Sequence, residues 1–125
     1  MGMAIQKTEQ TIFALASGLG KAGIAVFRIS GRSAIKAYEA LSQKSISEPR
    51  LAVRVQLCDP RSNEVLDDGL AIYFAGPASF TGEDVVELHV HGGRAVIAGI
   101  TEALNSLQDI RVAEAGEFTR RAFDN

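Results

Sequence analysis

The sequence predicts an α+β domain, with a mixed or antiparallel sheet of five or six strands and about three helices. Three observations lead there. Short β-branched runs recur along the chain, some alternating polar and apolar residues with the period of a half-buried strand. Other stretches repeat apolar residues at helical spacing. The two kinds of segment do not alternate regularly, as a doubly wound parallel sheet would require. At 125 residues and 46% hydrophobic content, one domain burying roughly two-thirds of its unfolded surface is expected.

Residues 1–10 form an N-terminal extension. Residues 11–16, Thr-Ile-Phe-Ala-Leu-Ala, read as a first short strand, 17–23 as a glycine-rich loop and 24–30 as a second strand. Ser30-Gly31 is placed to cap a helix over 32–41, in which either Ile35, Tyr38 and Leu41 or Ala34, Ala37 and Leu41 form the buried stripe. After a polar connection over 42–49, residues 52–57 alternate as a strand. The cluster Asp59-Pro60-Arg61-Ser62-Asn63 turns the chain, and 70–74 pairs back as a hairpin that Gly76-Pro77 ends. In the next strand Glu87, His89 and His91 face one way and Val86, Leu88 and Val90 the other, so one face carries polar groups and the other core. Gly92-Gly93 closes it. Val96, Ile97, Ile100, Ala103, Leu104 and Leu107 mark a helix over 94–107; 110–113 is a last strand and 117–123 a helix cut short, which suggests a piece of a longer protein.

Composition narrows the function. A formal net charge of −2 offers no basic field for nucleic acid and no polybasic membrane segment, so a partner must be recognised locally. The single Cys58 excludes an intrachain disulfide and fits a reducing compartment, and no apolar run approaches the roughly 20 residues that span a bilayer. With no signal-peptide pattern at the start, a cytoplasmic location is expected.

Candidate motifs compete with plainer readings. Gly18-Leu19-Gly20-Lys21-Ala22-Gly23 matches G-x-G-x-x-G, but a strand follows where a helix N-terminus should meet a pyrophosphate. As a P-loop it fails, with Leu15 at the first glycine and Ala22 at the magnesium-binding hydroxyl. Glu87, His89 and His91 suit a metal, a polar ligand such as a heterocycle, or ordinary surface. Arg28 stands alone in an apolar strand, as a structural ion pair or an anion clamp, with Glu87 a possible partner. Glu117 and Arg121, four apart, read as a surface pair; Asp67-Asp68 and Glu83-Asp84 read as solvated acids in turns, and Cys58 as core.

Four ordered segments carry a family likeness: residues 11–16, then 23–31 (Gly-Ile-Ala-Val-Phe-Arg-Ile-Ser-Gly), 80–93 (Phe-Thr-Gly-Glu-Asp-Val-Val-Glu-Leu-His-Val-His-Gly-Gly) and 116–123 (Gly-Glu-Phe-Thr-Arg-Arg-Ala-Phe). Together they resemble the N-terminal domain of the tRNA uridine-modification GTPases, the MnmE or TrmE family. The resemblance implies a fold related to folate-binding aminomethyltransferase domains, a homodimer formed through this domain, and a bound tetrahydrofolate derivative, in the 5-formyl or methylene form, as one-carbon donor. It implies Arg28 and Glu87 as the folate contacts; from the motifs themselves, no catalytic residue and no metal ligand is expected. It implies that the full-length protein is a GTPase that modifies the wobble uridine of tRNA with an FAD-containing partner of the MnmG or GidA kind. GTP, magnesium and potassium belong to a G domain absent from this chain, and the fragment alone should not hydrolyse GTP. A dimerisation module without its own ligand, and a stand-alone folate-dependent one-carbon transferase, are the alternatives. The sequence departs from the family in its glycine loop, where Lys21 replaces an arginine and prolines are missing, and at Arg94 and Ala115, where proline is usual.

Overall fold

Six strands hydrogen-bond into one sheet in the order β3-β4-β5-β2-β1-β6 in the computed structural model, which describes residues 10–16 and 23–125. The strands are β1 (Thr11–Leu15), β2 (Ile24–Ser30), β3 (Val53–Cys58), β4 (Val65–Phe74), β5 (Val85–His91) and β6 (Ile110–Val112); the helices are α1 (Ala34–Ser42), α2 (Arg94–Asn105) and α3 (Glu117–Asp124). Every neighbouring pair is antiparallel except β1 and β6, which run parallel. The fold is therefore α+β with a mixed sheet, as the irregular alternation of segments predicts. Residues 17–22 of the predicted glycine loop and residues 1–9 of the predicted extension lie outside the described residues.

Period-two patterning decides which face is buried. Phe27 and Ile29 of β2 and Val86, Leu88 and Val90 of β5 are buried with Ala37, Tyr38 and Leu41 of α1 and Ile100, Ala103 and Leu104 of α2 in one core. Each large side chain buried there contributes about 1.5–3 kcal/mol from apolar surface removed from water. The stripe on α1 is the one through Ala34, Ala37 and Leu41, with Tyr38 beside it, while Ile35 is only partly buried. The opposite face of β2 and β5 carries Val26, Arg28, Glu87 and His89, and the register places Arg28 directly across from Glu87.

Two local expectations are corrected. Ser30 does not cap α1: its hydroxyl lies 2.6 Å from Thr81 Oγ1 and donates to Glu83 Oε1 at 2.8 Å, while Thr11 Oγ1 accepts the Ser33 N–H at 2.8 Å. The Ser33 N–H is thus satisfied from a neighbouring strand, while the Ala34 N–H bonds back to the Gly31 carbonyl at 3.1 Å. The second concerns β4, which begins at Val65 rather than at residue 70. Asp67, Asp68 and Gly69 are poor strand formers, but pairing with Leu57, Gln56 and Val55 holds them extended.

Candidate functional site

Arg28 and Glu87 meet because antiparallel pairing of β2 and β5 puts them opposite one another on the face turned away from α1 and α2. Arg28 donates from Nε and Nη2 to the same oxygen, Glu87 Oε2, at 3.0 and 2.9 Å. The other oxygen, Oε1, lies 3.1 Å from His89 Nε2. Both ends of the Glu87 carboxylate are therefore oriented, and the Arg28 guanidinium also stacks 6.0 Å from the ring centre of Phe80. The pair is partly shielded, with Arg28 32% and Glu87 15% exposed at the side chain.

A cleft of about 540 Å³ opens over the pair, walled by Phe74, Phe80 and Val85 and bordered by Arg50. Its rim is the loop over 76–84, fixed at several points. The Asp84 carboxylate accepts from the Tyr73 hydroxyl at 3.1 Å and from the Gly76 N–H at 3.0 Å. Burial, reinforced by that bond, raises the Tyr73 hydroxyl pKa. Ser79 donates its hydroxyl to the Glu83 carbonyl, and Arg121 donates to the Glu83 carboxylate at 3.1 Å. Such bracing holds an aromatic wall in place before a ligand arrives. A second cavity, on the side of Ala14, Glu114 and Phe118, also reaches Arg28.

The predicted polar trio divides. Glu87 and His89 stay together, whereas His91, 72% exposed, takes its Nδ1 to Asp67 at 2.9 Å and donates its backbone N–H to the same carboxylate at 2.8 Å. Among the described residues no three His, Cys, Asp or Glu side chains are grouped to hold a metal ion. The paired acids also differ from their reading as solvated turn residues: Asp67 lies in β4 and grips His91, and Glu83 and Asp84 brace the cleft rim.

Glu117 and Arg121 are a larger correction. Glu117 is buried, 1% exposed, and accepts from Arg111 at 2.7 and 2.6 Å, from Arg121 at 3.1 Å and from the Glu114 N–H at 2.9 Å. Bonding by Arg111 outweighs burial and holds its carboxyl at a pKa of about 2. Arg121 reaches on to Glu83 and to the Gln10 carbonyl, at 2.7 Å. The pair is not a surface contact but the centre of a network tying α3 to β6 and to the rim loop.

Sequence reasoning singled out Arg28 and Glu87, which the structure brings together beside this cleft, and gave no role to Arg50, Phe74 or Phe80, which line it. Phe80 stood in the segment with the richest pattern, but an aromatic in a turn does not announce which cavity it walls. Arg50 gave no signal beside Pro49, since its left-handed backbone, φ 65, is invisible in the sequence.

Comparison with known proteins adds to this geometry. The family model described as GTP-binding protein TrmE N-terminus matches residues 11–125. A tRNA modification GTPase MnmE of Parvibaculum lavamentivorans is 55% identical over 116 residues, covering 93% of this chain and 26% of the relative. That of Paramagnetospirillum magneticum is 58% identical over 117 residues, covering 94% and 26%. The mitochondrial 5-taurinomethyluridine-tRNA synthase subunit GTPB3 of Danio rerio is 53% identical over 115 residues, covering 92% and 23%. The chain spans about a quarter of the length of these relatives.

Proposed function

Because the chain belongs to the GTP-binding protein TrmE N-terminus family, we propose that it is the folate-binding and dimerising domain of a tRNA-modifying GTPase. The observation that carries the reading is the oriented Arg28–Glu87 pair at the base of a cleft with two aromatic walls. A pterin ring presents adjacent donors and acceptors along one edge, and a carboxylate held from both sides is a fitting acceptor for such an edge. The fit extends to size and lining. A cavity of about 540 Å³ lies within the roughly 300–1,000 Å³ usual for small-molecule sites, and such sites combine apolar walls with a few convergent polar groups.

In this reading Glu87 accepts from the pterin edge, Arg28 holds Glu87 aimed, and Phe74 and Phe80 enclose the ring. His89 supports the Glu87 oxygen that Arg28 does not hold. A bound tetrahydrofolate derivative, 5-formyl or methylene, supplies a one-carbon unit. In the full-length protein that unit serves modification of the wobble uridine of tRNA, together with an FAD-containing partner. GTP hydrolysis, with its magnesium and potassium, belongs to the part of the protein outside this chain. A relationship to folate-binding aminomethyltransferase domains and a cytoplasmic location complete the proposal; no helix among the described residues is long and apolar enough to cross a membrane.

Calorimetric titration with 5-formyltetrahydrofolate tests it. Saturable binding that weakens tenfold or more in Arg28→Ala and in Glu87→Ala, with the thermal unfolding transition retained, is expected from loss of charge-assisted bonds. Absence of saturable binding to the folded wild-type chain would overturn the folate reading. The exposed apolar side chains Ile24 and Leu70 favour a second role, in dimer formation. A dimer mass beside a flat folate titration would leave that role alone standing.

A further inference from the structure

α3 is held to the rest of the molecule by charge rather than by an apolar stripe. Its buried side chains are Glu117 and Arg121; Phe118 and Ala122 are only partly buried, and Phe123 is 91% exposed. Helices in proteins draw most of their stability from packing an apolar face, so the docking of this one rests on the few ion pairs it makes. Glu117 answers Arg111 of β6. Arg121 reaches the rim of the cleft.

Two adjacent contacts join α3 to that rim. The Arg121 side chain, 7% exposed, donates from Nη1 to both oxygens of the Glu83 carboxylate, at 3.1 and 3.3 Å. At Gly82, which has φ 83, a Cβ would stand 2.7 Å from the Asn125 Cβ, so the end of α3 lies directly against the loop backbone. Gly82 and Glu83 closely follow Phe80, the aromatic wall whose ring centre lies 6.0 Å from the Arg28 guanidinium. From the other side Ser30 of β2 donates its hydroxyl to Glu83 Oε1 at 2.8 Å. Glu83 thus stands between β2 and α3, and a shift of α3 pulls on the segment that carries Phe80.

We propose that Arg121 is a positioning residue of the cleft, and that α3 docking and ligand binding favour one another through Glu83 and Phe80. This deepens the folate reading and rests on it. A ligand enclosed between Phe74 and Phe80 fixes the loop, and a fixed loop holds Glu83 where Arg121 meets it. By linkage, a docked α3 strengthens ligand binding by the same factor. Arg121 acts through Glu83 and Phe80 rather than by touching the ligand, which makes α3 the element through which occupancy of the cleft is felt outside it.

The test combines calorimetric titration of 5-formyltetrahydrofolate with amide hydrogen exchange across residues 117–124. Wild type is compared with Glu83→Gln and Arg121→Lys, each alone and combined with Phe80→Ala. Glu83→Gln removes the charge that Arg121 meets but keeps a carbonyl oxygen for Ser30, and Arg121→Lys keeps a cation for Glu117 on a shorter reach; the thermal transition checks that both fold. Each is expected to weaken the ligand about threefold to tenfold, but by less than about twofold once Phe80 is already alanine. Saturating ligand should slow exchange in α3 of the wild type about threefold or more and leave it unchanged in Glu83→Gln. Unchanged affinity in both variants, an equal loss with and without Phe80, or α3 exchange that ignores the ligand would each overturn the proposal and leave the folate reading standing. Failure of the wild-type chain to bind would overturn the folate reading itself, and this proposal with it.

Discussion

At Glu117, two arginines and a backbone N–H converge on a carboxylate that solvent does not reach. Its carboxyl sits at about 2 against an ordinary 4.5. A depressed folded-state pKa gives stability that is complete above the unfolded value and is lost as pH falls from about 4.5 to about 2. The contribution at neutral pH is of the order of 3 kcal/mol. Glu117→Gln would take the Glu117 carboxylate from both arginines, leaving Arg121 with Glu83 and the Gln10 carbonyl. It should lower the urea-unfolding free energy at pH 7 by about 3 kcal/mol, with the gap to wild type closing at pH 2. An equal gap at both pH values would show that packing rather than charge is responsible. Residue patterns reveal such groups unevenly. Arg28 was legible because it is the one charge in an apolar strand, whereas Glu117 and Arg121 fit a surface pair on a helix. The cation that changes their meaning, Arg111, comes from β6, where no local spacing points to it.

Between β2 and α1 the chain turns at Gly31, and this turn illustrates how elements depend on one another. Gly31 has φ 136, and a Cβ there would stand 2.7 Å from the Thr11 backbone and 2.6 Å from Thr11 Oγ1. The same Thr11 Oγ1 accepts the Ser33 N–H that opens α1. Gly31→Ala therefore combines a backbone conformation that L residues avoid with a collision against β1. A loss of about 2–4 kcal/mol in thermal or urea unfolding is expected; a loss below about 0.5 kcal/mol would mean that β1 yields at little cost. Strand and helix positions were legible to within a few residues wherever apolar periodicity was strong, as in β2 and α2. Where cross-strand partners impose the structure, as in the first half of β4, or where a neighbouring strand satisfies a helix start, as in α1, sequence alone pointed elsewhere.

Across the whole molecule, two helices cover one face of the sheet and the other keeps the Arg28–Glu87 site. Ile24 is 59% and Leu70 40% exposed, beside His91 and His89 in the strand register. The proposed homodimer predicts a dimer mass in sedimentation equilibrium, and Leu70→Glu should shift it toward monomer with little change in the unfolding midpoint, because the side chain is already half in water. An unchanged dimer mass in that variant would move the interface elsewhere. The division into a core face and a polar face was legible from the alternation in β5; the cleft was not, because its walls, Phe74, Phe80 and Val85, meet Arg28 and Arg50 only once distant parts of the chain pair in the sheet. Pairing of β1 with β6 joins Thr11 to Ile110, so the first strand acquires its second neighbour only after roughly a hundred further residues have been synthesised, a contact of very long range. During translation, β1 can lean on β2 alone until β6 has left the ribosome, and the last strand made is the one that completes the first.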